Sequence, residues 1–489
     1  MNVTKGVGLI ALAGVLRLQA ATPVTFHKDV EPILQKHCQG CHHPGDIAPM
    51  PLMSYQQARP WAKAIRAAVL QKKMPPWYAD PAHGTFRNDR SLAQSEIDTL
   101  TSWVDNGAPE GSSNDAPAPP PLTDGWHIGK PDVVIQIPQA FQIPASGAVP
   151  YQYIVVPTNF NQDKWVQSVE IRPGNRKVLH HINLSAVPPL AGGVARPAGF
   201  FTSDAERRLL DSLKPGEEPP QFSAGREGEL LETFVPGGLP PELAPGQAKL
   251  VKAGSSLIFQ LHYTTTGKPE EDQTSVGFIF AKQPPRERIK SILVYNRTFT
   301  IPAGDGNSLV GARAEILHDV KMVSILPHMH VRGKDFQVRA IYPSGENEIL
   351  VRVPKYDFRW QINYYLANPK LLPKGTVIEV TGHFDNSVNN PFNPDATLDV
   401  HYGEQTWEEM LHGFMEVAIE PTTDTPELLG PGPGPLLPPY TTASAPSPSY
   451  APAAPRFLKQ GDEITIDGYL AKGADGKSVF AGSSAPTAK

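Results

Sequence analysis

From about residue 126 to residue 420 the chain alternates apolar and polar positions with a period of two. In "SSLIFQLHYTT", Leu257, Phe259, Leu261 and Tyr263 share one face, and Ile258, Gln260 and His262 share the other. "PDVVIQIP", "YQYIVVP", "WVQSVEIRP", "SVGFIFAK", "FQVRAIYPSG", "EILVRV" and "GTVIEVTGHF" repeat the pattern. Successive side chains of a strand point to opposite faces, so the alternation predicts half-buried strands. Short strands with turn signals between them predict all-β sandwiches or barrels. A region of this length suits two such domains better than one.

Upstream the period changes. "PWAKAIRAAVLQKK" (60–73) predicts a helix. In "SLAQSEIDTLTSWVDNGAPEG", Ile97, Leu100 and Val104 recur at helical spacing beside Trp103, and Gly107 and Pro109 act as stop signals. A Pro/Ala/Ser/Asp linker, 112–125, divides this small helical unit from the β region. Proline-rich linkers run extended at about 3.1 Å per residue, which gives this one a reach on the order of 35–45 Å. A second proline-rich stretch, 426–455, predicts no regular structure, and "DEITIDGYLAKGADGKSVF" after it suits a small hairpin. At the N-terminus, Lys5, the apolar "VGLIALAGVL" (7–16) and small Ala20 and Ala21 form a secretory signal. Arg17 leaves an uncleaved anchor open, and no other stretch is apolar and long enough for a membrane helix. The predicted order is a signal (1–21), an all-α domain (22–111), a linker (112–125), two all-β sandwiches (126–290 and 291–425), a proline-rich segment (426–455) and a tail (456–489).

Composition narrows the partners. Charged residues make up 19% of the 489, the net charge is −5, and no Lys/Arg block occurs, so nothing points to nucleic acid. The 53 prolines and 41 glycines fit β-rich domains and extended linkers.

The chain has two cysteines, Cys38 and Cys41, both in "HCQGCHHPG". Three uses compete: a disulfide, a zinc site and a haem. A bridge across so short a loop gains little. Zinc needs four ligands, and His37 and His43 crowd too close to the cysteines for a tetrahedron. C-x-x-C-H is the attachment signature of c-type haem, with His42 as axial ligand. A sixth ligand, usually methionine, is expected downstream. Met74 in "KKMPPW" is favoured because the following prolines hold it in extended backbone, with Met50 and Met53 as competitors. On "CQGCH", "KKMPPW" and "SEIDTLTSWVDNGAPEG", residues 24–111 resemble the small cytochrome c domains of bacterial exported multidomain proteins.

The β region carries its own candidate ligands. His328 and His330 in "SILPHMHVRG" lie two apart, on one face of a strand, and can chelate one ion. Val323, Ile325, Met329 and Val331 form the opposite, core face. His180 and His181 in "KVLHHINL" are neighbours, and on a strand both can reach one metal only at a bulge or strand end. His83, His127, His318, His383 and His401 are read as surface or hydrogen-bonded residues.

An HH pair, a later "QLHY", then H-x-H, then "EEM", with "TGHFDNSVNNPFNP" and "GEQTWEEM", resembles the copper type II monooxygenases. That family includes peptidylglycine α-hydroxylating monooxygenase and dopamine β-monooxygenase. The resemblance implies two jelly-roll-like sandwiches and two coppers. His180, His181 and His262 would hold one copper. His328, His330 and Met410 would hold the other, where O2 is activated, with Met415 as the competing thioether. A thioether is soft and favours Cu(I), while imidazole suits both oxidation states.

Departures matter too. Leu411 stands where the family usually has a cysteine. Leu326 replaces a substrate-binding arginine, and His412 and Phe414 replace an asparagine and a tyrosine, so a peptide C-terminal glycine is not the expected substrate. The Gly/Pro-rich 189–245 is longer than the family needs.

Together the two resemblances imply an exported, periplasmic bacterial enzyme: R–H + O2 + 2e⁻ + 2H⁺ → R–OH + H2O. Its substrate would be a small molecule. Its electrons would come from an external donor, ascorbate-like or a redox protein, through one covalent haem c docked near the all-histidine copper. The alternatives are a non-catalytic haem/copper electron-transfer or copper-binding protein, and a binding module with vestigial histidines.

Overall fold

The computed structural model describes residues 23–44, 48, 50–119, 125–147, 149–189, 199–202, 228–235, 238, 240–241, 243–422, 427–432, 470–472 and 478–480. The signal sequence, the end of the linker, most of the Gly/Pro-rich 189–245 and most of 426–469 lie outside these residues. The expected tail hairpin is an antiparallel pair, Leu470–Lys472 with Ser478–Phe480.

The N-terminal unit is helical, with helices Glu31–His37, Tyr55–Ala58, Ala62–Leu70 and Gln94–Asp105. Its core gathers Phe26, Val30, Leu34, Leu52, Ile65, Val69, Ile97, Leu100 and Trp103. The stripe of the last helix is Ile97, Leu100 and Trp103, with Val104 at its flank. Trp103 takes the central place because its Nε1 donates to the Pro109 carbonyl at 2.9 Å, so its one polar atom is satisfied. Glu96 ties this helix to the cysteine turn, accepting from Lys36 and His37 at 3.1 Å each.

The rest of the molecule is β. One eight-stranded sheet runs Val133–Gln136, Ser275–Phe280, Lys164–Arg172, Gln247–Val251, Glu287–Asn296, Leu411–Ile419, Val320–His328, Tyr364–Leu372. A five-stranded sheet, Gly199–Thr202, Gln152–Pro157, Ser256–Tyr263, Leu179–Val187 and Glu229–Phe234, shares a core with its first half. A second, Asn347–Val353, Gly333–Ile341, Val377–Phe384, Ser308–Ile316 and Leu429–Pro431, shares a core with its second half. The alternation reads directly onto the first core: Leu257, Phe259 and Leu261 are fully buried in it.

The two β units are therefore joined by backbone pairing. Gln247 and Ala248 pair in parallel with Glu287 and Arg288. The strand Glu287–Asn296 spans the expected 290/291 boundary, and Leu429–Pro431 pairs with Ser308–Ile316 of the second unit. Buried ion pairs hold the seam: Lys249 to Glu416 at 2.5 Å, and Arg288 to Glu229 at 2.7 Å. Lys249 also donates to the carbonyls of Leu230 and Leu231, so the buried ammonium is fully hydrogen-bonded.

The helical unit is fastened by more than its linker. Residues 77–90 form a strap across the second β unit. Phe86 bridges Leu366, Ala367 N donates to the Thr85 carbonyl at 2.8 Å, Arg87 N to Tyr365 at 2.9 Å, and Asp80 N to Arg352 at 2.8 Å. Trp77 meets Tyr364 edge-on at 5.0 Å, and Trp77, Tyr78 and Phe86 pack on the second core. The strap covers the edge strands Asn347–Val353 and Tyr364–Leu372, whose free backbone groups would otherwise invite pairing.

Candidate functional site: two histidine clusters and a cysteine turn

Leu179–Val187 carries the adjacent histidines. Its pairing with Ser256–Tyr263 shifts register between Leu179 and His181: Leu179 faces Tyr263, yet His181 faces His262. His180 is the extra residue of a bulge, and the bulge turns both rings to one side. His180, His181 and His262 each offer a nitrogen, and the three lie within 4.8 Å of one another. The Nδ1 atoms of His180 and His181 are 3.1 Å apart. Tyr151 stacks on His262 at 4.7 Å between ring centroids.

His180 and His181 are buried, and loss of solvation favours the neutral form of all three rings. Burial pushes His180 down to about 4. Burial, and then mutual repulsion with neighbouring histidines, holds His181 and His262 well below the ordinary value. The buried Nδ1 of His262 has no hydrogen-bond partner. Three converging neutral imidazoles with an orphaned nitrogen are a donor set suited to copper or zinc.

The second cluster lies where Val320–His328 ends. A bulge between Met322 and Ser324 displaces Val323 from the core, so Met322 and Ile325 are the buried residues. Beyond the bulge, Ile325, Met329 and Val331 face the core as expected, leaving His328 and His330 together on the other side with ring centroids 5.2 Å apart. Each ring is oriented through Nδ1: His328 by Gln361 Oε1 at 2.6 Å, His330 by the Glu408 carbonyl at 3.0 Å. Such contacts turn Nε2 toward a ligand. Burial lowers His328 against the pull of Gln361, and burial with the charge of His328 lowers His330 to about 3.

Glu409 clamps this turn. It is completely buried and accepts from the backbone N–H of His330 at 2.9 Å and of Arg332 at 2.7 Å. Burial raises it to about 7 against Arg332 and the backbone donors. Met410 follows directly, 9% exposed, just before Leu411–Ile419. In that strand Leu411, Met415 and Val417 enter the core, and a Cβ on Gly413 would lie 2.8 Å from Val380. The opposite parity carries His412 and Phe414, whose rings lie 5.7 and 6.1 Å from His328. Met415 is thus core packing, and Met410 lies just before the strand, one residue after Glu409.

Phe358 stands between the clusters. Its ring stacks on His180 at 5.4 Å and meets His330 at 6.0 Å. It comes from the connection between Asn347–Val353 and Tyr364–Leu372, which also supplies Gln361. Neither residue carries a sequence signal. In the sequence His412 stands out only as a replacement for an asparagine of the resembled family, and Glu409 only as part of "EEM".

The cysteine turn closes the helix Glu31–His37. Cys41 N and His42 N donate to the Cys38 carbonyl at 3.1 and 2.9 Å, so both thiols and His42 lie on one tight turn. No disulfide joins the cysteines. Burial pushes the Cys38 thiol up to about 12, with the charges of Cys41 and Glu96 adding to it. Nδ1 of His42 bonds the Met50 carbonyl at 3.0 Å, which fixes the ring and leaves Nε2 for an axial role. Two thiols and an oriented imidazole on one turn fit a covalent haem. Met50 packs its side chain on the helical core, while Met74 is half-buried outside it, joined by a cis bond to Pro75.

The other histidines have ordinary partners or exposure. His383 bonds Asp335 at 2.9 Å, His127 bonds Glu170 at 3.1 Å, His401 bonds Thr300 at 3.0 Å, and His318 is exposed.

No protein-family model matches the chain, and no curated protein matches it. Among solved structures, the major capsid protein P2 from bacteriophage PM2 is similar at 8% identity and a TM-score of 0.26, over 57% of this chain and 96% of that one. Infectious bursal virus derived T=1 particles give 9% identity and a TM-score of 0.18, over 60% and 70%. Likeness at this level says nothing of what the chain binds. Among the described residues, no helix is long and apolar enough to cross a membrane.

Proposed function

We propose that the chain is an exported, periplasmic copper-dependent monooxygenase that hydroxylates a C–H bond of a small substrate, with electrons arriving through a covalently bound c-type haem. The helical unit is then a cytochrome c-type domain, and the β units are the jelly-roll-like sandwiches of the copper type II family. The observation that carries this reading is the bulge that gathers His180, His181 and His262, with the His328/His330 pair held near them across Phe358.

When bound, copper at these clusters supplies one-electron chemistry and a seat for dioxygen, and haem on the cysteine turn supplies an electron inlet. The chain's own residues do the rest. Burial keeps the imidazoles neutral, with their lone pairs available. Gln361 and the Glu408 carbonyl fix the rings of His328 and His330, and Glu409 fixes the backbone between them and Met410. Phe358 sets a buried apolar ring against one histidine of each cluster. Met410 adds the soft donor that distinguishes the second cluster from the first.

The test is turnover under isotopically labelled dioxygen with a panel of small organic acceptors. The expected result is one labelled oxygen in an organic product, lost in Met410→Ala while the haem spectrum is unchanged. Reduced, copper-loaded protein that consumes O2 only to peroxide and never labels an acceptor contradicts the reading and favours a non-catalytic electron-transfer protein.

A further inference from the structure

The connection 354–363, between Asn347–Val353 and Tyr364–Leu372, reaches both histidine clusters. Gln361 Oε1 accepts from Nδ1 of His328 at 2.6 Å, and the amide is turned that way because its Nε2 donates to the Phe358 carbonyl at 3.4 Å. An amide oxygen can only accept, so the proton of His328 is kept on Nδ1 and its lone pair on Nε2. Tyr356 grips the next residue: its hydroxyl accepts from Met329 N at 3.0 Å and donates to the Met329 carbonyl at 2.9 Å. Phe358 lays its ring on His180 and meets that of His330.

The connection itself contains no helix or strand. Its ends are held by the strap 77–90. On one side Asp80 N donates to the Arg352 carbonyl at 2.8 Å. On the other, Asn88 acts as a piece of neighbouring strand. Its Nδ2 donates to the Asn363 carbonyl at 2.7 Å, and its Oδ1 accepts from Tyr365 N at 3.0 Å. One side chain thus satisfies both edge groups that flank Tyr364. Between the two ends, Tyr78 lines a small cavity with Pro327, Asp357, Trp360 and Tyr364. Pro327 directly precedes His328.

We propose that the strap is a positioning element for His328: Asn88, with Tyr78, sets the connection 354–363, which fixes the His328 ring through Gln361 and presents Phe358 to both clusters. The strap continues the chain of the helical unit, so seating that unit and ordering His328 become one event. On the functional reading above, which this inference deepens, the copper ligand His328 is in order only while the electron-delivering unit is docked.

The experiment is hydrogen exchange, with nitrogen NMR of isotopically labelled histidine, on the full haem-loaded, copper-free chain. Asn88→Ala is compared with wild type and with Gln361→Ala, and the His328 signal is identified by its loss in His328→Gln. Wild type should show His328 as a single Nδ1–H tautomer. Asn88→Ala should speed exchange across 354–363 roughly tenfold, as two lost hydrogen bonds imply, and mix the His328 tautomers as Gln361→Ala does. Unchanged exchange in Ser256–Tyr263 and Leu411–Ile419 reports an intact fold. Exchange in 354–363 and a His328 tautomer that both stay as in wild type overturn the proposal. A strap that merely fastens the helical unit would give that result, with any faster exchange confined to 77–90. Copper titration separates this inference from the copper reading. The copper of His328 and His330 should bind roughly tenfold more weakly in Asn88→Ala, and that of His180, His181 and His262 equally well in both proteins. Wild type that takes up no copper contradicts the copper reading, and the exchange and tautomer results decide the positioning role without it.

Discussion

Adjacent histidines on a regular strand point apart, and His180 and His181 escape that rule only because one inserted residue breaks the register. The sequence states the requirement, a bulge or a strand end, but not that it is met. A bulge arises from pairing with a strand some 80 residues away, which single-strand periodicity does not contain. The same limit misplaces Val323, which a second bulge moves out of the core in favour of Met322. Parity does survive where strands are regular: it separates Met415 in the core from His412 on the side that faces His328.

Burying neutral histidines has a cost that depends on pH. His180 titrates at about 4 in the folded chain against 6.5 for the free side chain, so the unfolded chain takes up the proton first as pH falls. Stability is therefore full above pH 6.5 and declines as pH falls from there to about 4, by roughly 3 kcal/mol for this residue alone. The copper-free protein should show a thermal midpoint that drops between pH 7 and pH 4.5, and His180→Phe should flatten that drop. An identical slope in the variant would remove His180 as its source.

At the scale of elements, the strap 77–90 is the largest departure from what the sequence offers. The proline-rich linker predicts a tether long enough for the helical unit to dock on the β region. Trp77, Tyr78 and Phe86 anchor that unit on the second β unit, beside the strand that leads to His328. "PPWYADPAHGTFRND" has no period, so its aromatic residues were visible but their partner was not. Removing the Trp77 ring should weaken the docking by about 2 kcal/mol of buried apolar surface. Trp77→Ala is predicted to make 77–90 sensitive to limited proteolysis while the β units stay resistant. Equal resistance in both proteins would show that the hydrogen bonds of the strap suffice without Trp77.

Across the described residues, the all-β reading of the middle region follows from alternation and is met by three large sheets packed around two main cores. That the largest sheet passes through both units was not legible, because the parallel contact of Gln247–Val251 with Glu287–Asn296 leaves no local pattern. The consequence is functional: a shared sheet and a buried Lys249–Glu416 pair fix the two histidine clusters relative to each other, with Phe358 between them. The central claim, a copper enzyme with its own haem, is tested most directly by counting metals. The full chain, produced with c-type haem maturation and loaded with copper, should carry one iron and two coppers, and His181→Ala should remove one copper while leaving the iron. Protein that retains its haem but holds no copper would contradict the account.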